Sequence, residues 1–300
     1  SSSEMESTII LEPFGRNTAP AITLAALSIE EDALMLIMPS DHFIDSLEDF
    51  NESIKSALDI ADSGKLVTFG VPPRFAHTGY GYIKTGKNIG SAFQIEKFIE
   101  KPNIDSANKF IEEGSYLWNS GIFLFKKSAF LKEIEKYRIN ILESCKHSLA
   151  RQSINGNYIH PEENYFSKCP SESIDYAVME NTTESAVVPL LGGWNDLGSW
   201  KSLFEVANKD ENNNSTAGDV MTQDTKDCYL YSDDRILITN GVRNLAVVST
   251  KDSILISDID STEEVKTIVE NLKIGSRQEA EIHREVRRPW GSYDSIDSGE

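Results

Sequence analysis

Two aspartates stand where a carboxylate could do chemistry. Asp196 lies in "GGWNDLGSW" (192–200), among three glycines and two tryptophans, just past the apolar run 186–191. Asp41 lies in "MPSDH" (38–42), directly after the apolar run 34–38. Open α/β sheets place their ligand crevice at the ends of such strands. A pair of this kind suits a hard divalent cation. Mg²⁺ takes one or two carboxylates and completes its octahedron with phosphate oxygens and water. Taken alone, the pair reads more readily as two unrelated turn formers, because Asp beside Gly bonds its own backbone.

Three further groups share this ambiguity. Glu100 and Lys101 follow the strand-like run 93–99 and, taken alone, make an exposed ion pair. Asn119 in "WNSGIF" (118–123) and Gly81 in "GYGYI" (79–83) sit in turn-like settings, where glycine lets a ligand approach the backbone. Arg16, Asn17, Thr18 and Ala19 open a helix, and helix N-termini receive polar and anionic groups. Asn17 and Thr18 serve equally well as caps.

The elements that must hold these residues follow from periodicity. Residues 17–32 read as a helix that is apolar almost all round, with Pro20 in its first turn. The run 34–38 reads as a strand buried on both faces, and a helix capped by Ser46 with Asp49 follows it. Residues 65–70, 93–99 and 121–125 read as strands. Helices are expected over 103–113, stopped by Gly114, and along an amphipathic stretch through Phe130, Ile134 and Ile141. Alternation of this kind predicts a doubly wound α/β domain over residues 1–208. Past the polar stretch 210–215, short β-like segments over 217–257 and a helix over 262–272 form a β-rich module assigned to 217–274. Residues 275–300 read as a linker and the opening of another unit.

Composition excludes several partners. A formal net charge of −19 argues against a nucleic-acid backbone or an anionic membrane surface. Phosphate ligands stay compatible with it if backbone N–H groups, local cations or a metal ion hold them. Three scattered cysteines without metal-ligand spacing suggest a reducing, cytoplasmic setting.

Seven motifs in order, "EPFGRNTAPA", "MPSDH", "GYGYI", "FIEKP", "WNSGIF", "SIDYAVME" and "GWNDLGSW", closely resemble the mannose-1-phosphate guanylyltransferases of the sugar-nucleotidyltransferase superfamily. The terminal "RPWGSYDSIDSGE" is similar to the start of the cupin isomerase half of the bifunctional bacterial form. The resemblance implies a Rossmann-like (GT-A-like) domain followed by a short left-handed β-helix. It also implies Mg²⁺, the substrates GTP and mannose 1-phosphate, and the product GDP-mannose, and it allows a homodimer. By the same resemblance Asp41 and Asp196 hold the metal across one cleft, and Lys101 faces the phosphate. Glu100, Asn119 and Gly81 serve the sugar, and Glu12, Arg16, Asn17, Thr18 and Ser40 belong to the substrate pocket. Asp175 and Tyr176 read as helix packing, and His42 as an orienting or packing group. Two other readings stand beside this one: a pyrophosphorylase for another hexose 1-phosphate, and a non-catalytic homologue that binds sugar nucleotides. The family's G-G-x-G-x-R-L-x-P loop, with its phosphate-holding cations, does not occur in these 300 residues. Taken alone, they are therefore expected to turn over essentially nothing.

Overall fold

Residues 7–275, 285–288 and 291–294 are described by the computed structural model. They divide into two units, Ser1–Trp194 and Asn195–Glu300.

The first unit begins with β1 (Ile9–Ile10), α1 (Thr18–Ser28), β2 (Leu34–Ile37), β3 (Phe43–Ile44) and α2 (Leu47–Asp62). Next come β4 (Leu66–Val71), β5 (Tyr82–Asn88), β6 (Phe93–Ile99), α3 (Ile104–Glu113), β7 (Tyr116–Lys126) and α4 (Lys127–Leu149). β8 (Ser153–Asn155), β9 (Tyr158–His160), α5 (Glu163–Phe166), a π-helix (Asp175–Met179) and β10 (Ser185–Pro189) complete it, and β11 (Trp194–Asn195) spans the division. Six strands form one sheet in the order β2-β7-β4-β10-β6-β5, with β5 also reaching β7.

Period-two alternation sorts the core onto the two faces of this sheet. From β7, Phe123 and Phe125 join Leu24, Phe130 and Ile134 of α1 and α4 on one side. Ile122 and Leu124 join Phe50, Ala57 and Ala61 of α2 on the other. Both faces are thus covered, as the alternation of helices and strands predicts. The pairing within the sheet is mixed. Among the described residues β4 and β10 are its one parallel pair, and β7 runs antiparallel to β2, β4 and β5.

Four elements differ from expectation. α1 stops at Ser28, four residues before its expected end at 32; Ile29 is extended and the acidic run 30–32 opposes the negative helix end. β2 is an outer strand, so Leu36 is 38% exposed instead of buried on both faces. β5 is a strand that its polar sequence concealed. α4 is broken at Arg138, which leaves the helical region at φ −143° and ψ 55°.

In the second unit α6 (Trp200–Val206) precedes β12 (Ser215–Ala217), β13 (Val220–Gln223), β14 (Tyr229–Ser232), β15 (Leu237–Asn240), β16 (Leu245–Ser249) and β17 (Ile254–Asp258). The order β12-β14-β16 is parallel throughout, β13 pairs parallel with β15, and β17 closes antiparallel on β16. Stacked parallel rungs around Cys228, Leu230 and Val247 give the coiled β architecture expected of the module. A 3₁₀ turn (Ile259–Glu264) leads into α7 (Val265–Ile274), so the expected closing helix starts later than 262. β18 (Glu285–Arg288) pairs with β19 (Gly291–Asp294). The rest of the expected linker and opening unit, 276–284, 289–290 and 295–300, lies outside the described residues, as do residues 1–6. Among the described residues no helix is long and apolar enough to cross a membrane.

Candidate active site

The bend in β7 organises the site. Phe123 to Lys126 pair with β2 and Tyr116 to Trp118 with β5, while β4 runs along both parts, from Trp118 to Leu124. Between the halves Gly121 takes φ 72°, a left-handed value that favours glycine, and the β4–β7 register shifts between Thr68 and Gly70. Irregularities of this kind re-aim side chains. Here the bend presents Asn119, whose backbone N–H donates to Gly81 O at 2.8 Å.

Gly81, Glu100 and Asn119 converge as the sequence suggests. A Cβ on Gly81 would stand 2.4 Å from Glu100 Oε2 and 3.1 Å from Asn119 Cβ. Glu100 Oε2 is buried and lacks a hydrogen-bond partner among the described residues. An orphaned buried acceptor costs about 1–3 kcal/mol, which an incoming hydroxyl would recover. Burial, then the facing Asp175 carboxylate, pushes the Glu100 carboxyl up to about 7, while Lys101 opposes the shift. Lys101 Nζ lies 3.5 Å from Glu100 Oε1 on an exposed side chain, and its backbone takes φ 48°. A non-glycine residue in that region stores strain, a frequent mark of a functional position.

Asp175 enters this cluster, although its sequence setting reads as helix packing. Its Oδ1 accepts from Asn119 Nδ2 at 2.8 Å, and burial raises its carboxyl above the usual range. Glu180 Oε1 accepts from the Glu100 backbone N–H at 3.0 Å. The "SIDYAVME" motif was the signal available for both.

A second group of the expected residues lies around the start of α1. Asn17 caps the helix by accepting from Thr18 N at 2.8 Å, with its own φ at 67°. Thr18 Oγ1 accepts from Ile174 N at 2.9 Å, and Arg16 Nη2 donates to Ser167 O at 2.5 Å. Glu172 N donates to Arg16 O, and Arg138 at the break in α4 grips Glu172 through Nε (2.6 Å) and Nη2 (2.7 Å). Two groups stay unused here: Glu12 Oε1 and Arg16 Nε are buried without partners among the described residues. Burial raises the Glu12 carboxyl.

Ser40 and Asp41 follow β2 with exposed side chains. His42 Nδ1 accepts from Trp194 Nε1 at 3.1 Å, the orienting and packing role expected of it. Asp196 belongs to the second unit. Its Oδ1 accepts from Gly198 N at 3.1 Å, the local turn that Asp beside Gly favours. Among the described residues no group of three or more His, Cys, Asp or Glu side chains could hold a metal. Asp41 and Asp196 are carboxylates, the hard oxygen donors of which Mg²⁺ takes one or two.

Comparison with known proteins also gives two parts, divided near residue 215 rather than at 194. Residues 1–213 match the family model described as Nucleotidyl transferase, and residues 218–272 match the MannoseP isomerase/GMP-like beta-helix domain. Mannose-1-phosphate guanylyltransferase of Escherichia coli (strain K12) is 45% identical over 302 residues, covering 97% of this chain and 63% of the relative. The putative mannose-1-phosphate guanylyltransferase of Vibrio cholerae serotype O1 (strain ATCC 39315 / El Tor Inaba N16961) is 42% identical over 299 residues, covering 98% and 64%. The chain therefore spans less than two thirds of the length of these relatives. The crystal structure of mannose-1-phosphate geranyltransferase from Thermus thermophilus superposes with a TM-score of 0.77 at 31% identity, covering 88% of this chain and 77% of that one. That of mannose-6-phosphate isomerase from Helicobacter pylori gives 0.60 at 33% identity, covering 65% and 77%.

Proposed function

This chain belongs to the nucleotidyl transferase family, and on that premise we propose that its protein joins GTP to mannose 1-phosphate, forming GDP-mannose and pyrophosphate. A phosphate oxygen of mannose 1-phosphate attacks the α-phosphorus of GTP in line. The bond from that phosphorus to the bridging oxygen breaks, and pyrophosphate leaves. Catalysis of this kind is mainly positioning and charge neutralisation.

The observation that supports the reading is the cluster at Gly81, where Glu100 Oε2 lies buried and without a hydrogen-bond partner among the described residues, beside Asn119. Glu100 accepts from a mannose hydroxyl and Asn119 donates to another. Lys101, exposed at the strand end, faces the phosphate. Glu12 and Arg16 present their unused polar atoms to the guanine end, with Asn17, Thr18 and Ser40 shaping the pocket. Asp41 and Asp196 are each assigned to Mg²⁺, which when bound neutralises charge on the phosphates. The names of the relatives support guanine and mannose over other pairings. A cytoplasmic location belongs to the same reading, which allows a homodimer.

The aspartates supply the test. In the full-length protein, Asp41→Asn and Asp196→Asn are each expected to lower kcat by roughly a hundredfold or more, because each removes a charge that holds the neutralising cation. Either variant running at the wild-type rate would remove its aspartate from the metal site.

A further inference from the structure

Behind Asn119 lies a set of contacts that decides what its amide can offer. Asn119 Oδ1 accepts from Thr68 Oγ1 at 3.0 Å and from the Gly121 backbone N–H at 3.3 Å. A backbone N–H can only donate, so the Gly121 contact identifies that atom as the amide oxygen. The NH₂ group must then face Asp175, and one of its two hydrogens is used there, at 2.8 Å. One N–H is left over. Glu100 Oε2 and Asn119 Nδ2 lie 2.4 and 3.6 Å from the point where a Gly81 Cβ would stand. One acceptor and one donor therefore flank the bare backbone of Gly81.

We infer that Asp175 is a positioning residue of the hexose pocket. By holding the Asn119 amide, it fixes the pocket as a single N–H donor beside a carboxylate acceptor, a pattern that two hydroxyls of one sugar phosphate can read. The assignment rests on the proposed reading that mannose 1-phosphate binds here.

The segment that carries Asp175 braces both halves of the pattern. Asp175 opens the π-helix and reaches Asn119, 56 residues away in sequence, while Glu180 just beyond that helix anchors the Glu100 backbone. π-Turns recur at functional sites. The charged and titratable groups facing Glu100 are Asp175, Glu180 and Tyr176 from this segment, together with Lys101. Asp175 raises the Glu100 carboxyl and Lys101 lowers it. Removing the charge at 175 therefore lets Glu100 ionise at lower pH.

The test is steady-state kinetics on the full-length protein with Asp175→Ala and Asp175→Asn, across acidic to neutral pH. Asp175→Ala is expected to raise KM for mannose 1-phosphate roughly tenfold, the worth of one hydrogen bond to a charged group, and to leave KM for GTP unmoved. Asp175→Asn keeps an oxygen for the Asn119 amide and is expected to restore that KM. It should also move the acid limb of kcat/KM for mannose 1-phosphate to lower pH, because one negative charge fewer faces Glu100. Both KM values rising together, with the limb unshifted, would overturn the assignment and leave Asp175 a packing residue. Should the Ala variant fail to fold, the limb of the Asn variant decides alone. A folded wild-type protein inert on mannose 1-phosphate would overturn the functional reading first, and this assignment with it.

Discussion

Glu100 shows how the pocket's chemistry is tied to its stability. Burial and the facing Asp175 lift its carboxyl from 4.5 to about 7, so the folded protein holds this proton more tightly than the unfolded chain does. Stability from that proton is fully present below about pH 4.5 and is lost as pH rises toward 7. Glu100→Gln keeps the shape and removes the titration. Thermal unfolding of the ligand-free variant is expected to lose pH dependence across that window and to gain roughly 1–3 kcal/mol over wild type at mildly alkaline pH. An unchanged pH dependence would contradict the buried carboxyl. The variant should also bind mannose 1-phosphate more weakly, since the carboxylate acceptor is gone. At this scale, the resemblance to family motifs drew attention to Glu100, Asn119 and Gly81, whose own settings read as an ion pair and turns. Asp175 escaped because its partner lies in another strand, and an aspartate at a helix start has an adequate local explanation.

Among the elements, the long strand β7 and the glycine opposite it bring Asn119 and Glu100 together. Gly81 is a matter of space: a methyl there would press on Glu100 Oε2 at 2.4 Å and on Asn119 Cβ at 3.1 Å. The carboxylate end can swing aside, and the strand-borne Cβ cannot do so as readily. Gly81→Ala is therefore expected to raise KM for mannose 1-phosphate at least tenfold while costing only about 1 kcal/mol of stability. Parallel thermal melts and kinetics would separate the two effects, and a wild-type KM would show that no ligand enters this space. Hydrophobic runs made β4, β6 and the buried half of β7 legible, as capping residues did for α2 and α3. β5 stayed hidden because "KTGKN" is polar and pairs through its backbone with β6. The break at Arg138 also has a tertiary cause, the two-point grip on Glu172 that ties α4 to the segment below α1. Local propensity carries no trace of such a contact.

For the whole molecule, the two-part organisation was readable as a change from helix–strand alternation to short, closely spaced strands. The mixed pairing of the sheet was not, because strand direction is set by which neighbours the long β7 meets. With a net charge of −19, a phosphate ligand must be held by local cations, backbone N–H groups or metal. The decisive assay uses the full-length protein. GTP labelled at the α-phosphate, Mg²⁺ and mannose 1-phosphate should be incubated with it, and the products separated. The expected result is label in GDP-mannose with one pyrophosphate released per label transferred, and much less transfer to glucose 1-phosphate. A folded protein that binds these ligands and transfers no label, or transfers it equally well to glucose 1-phosphate, would contradict the assignment to GTP and mannose 1-phosphate.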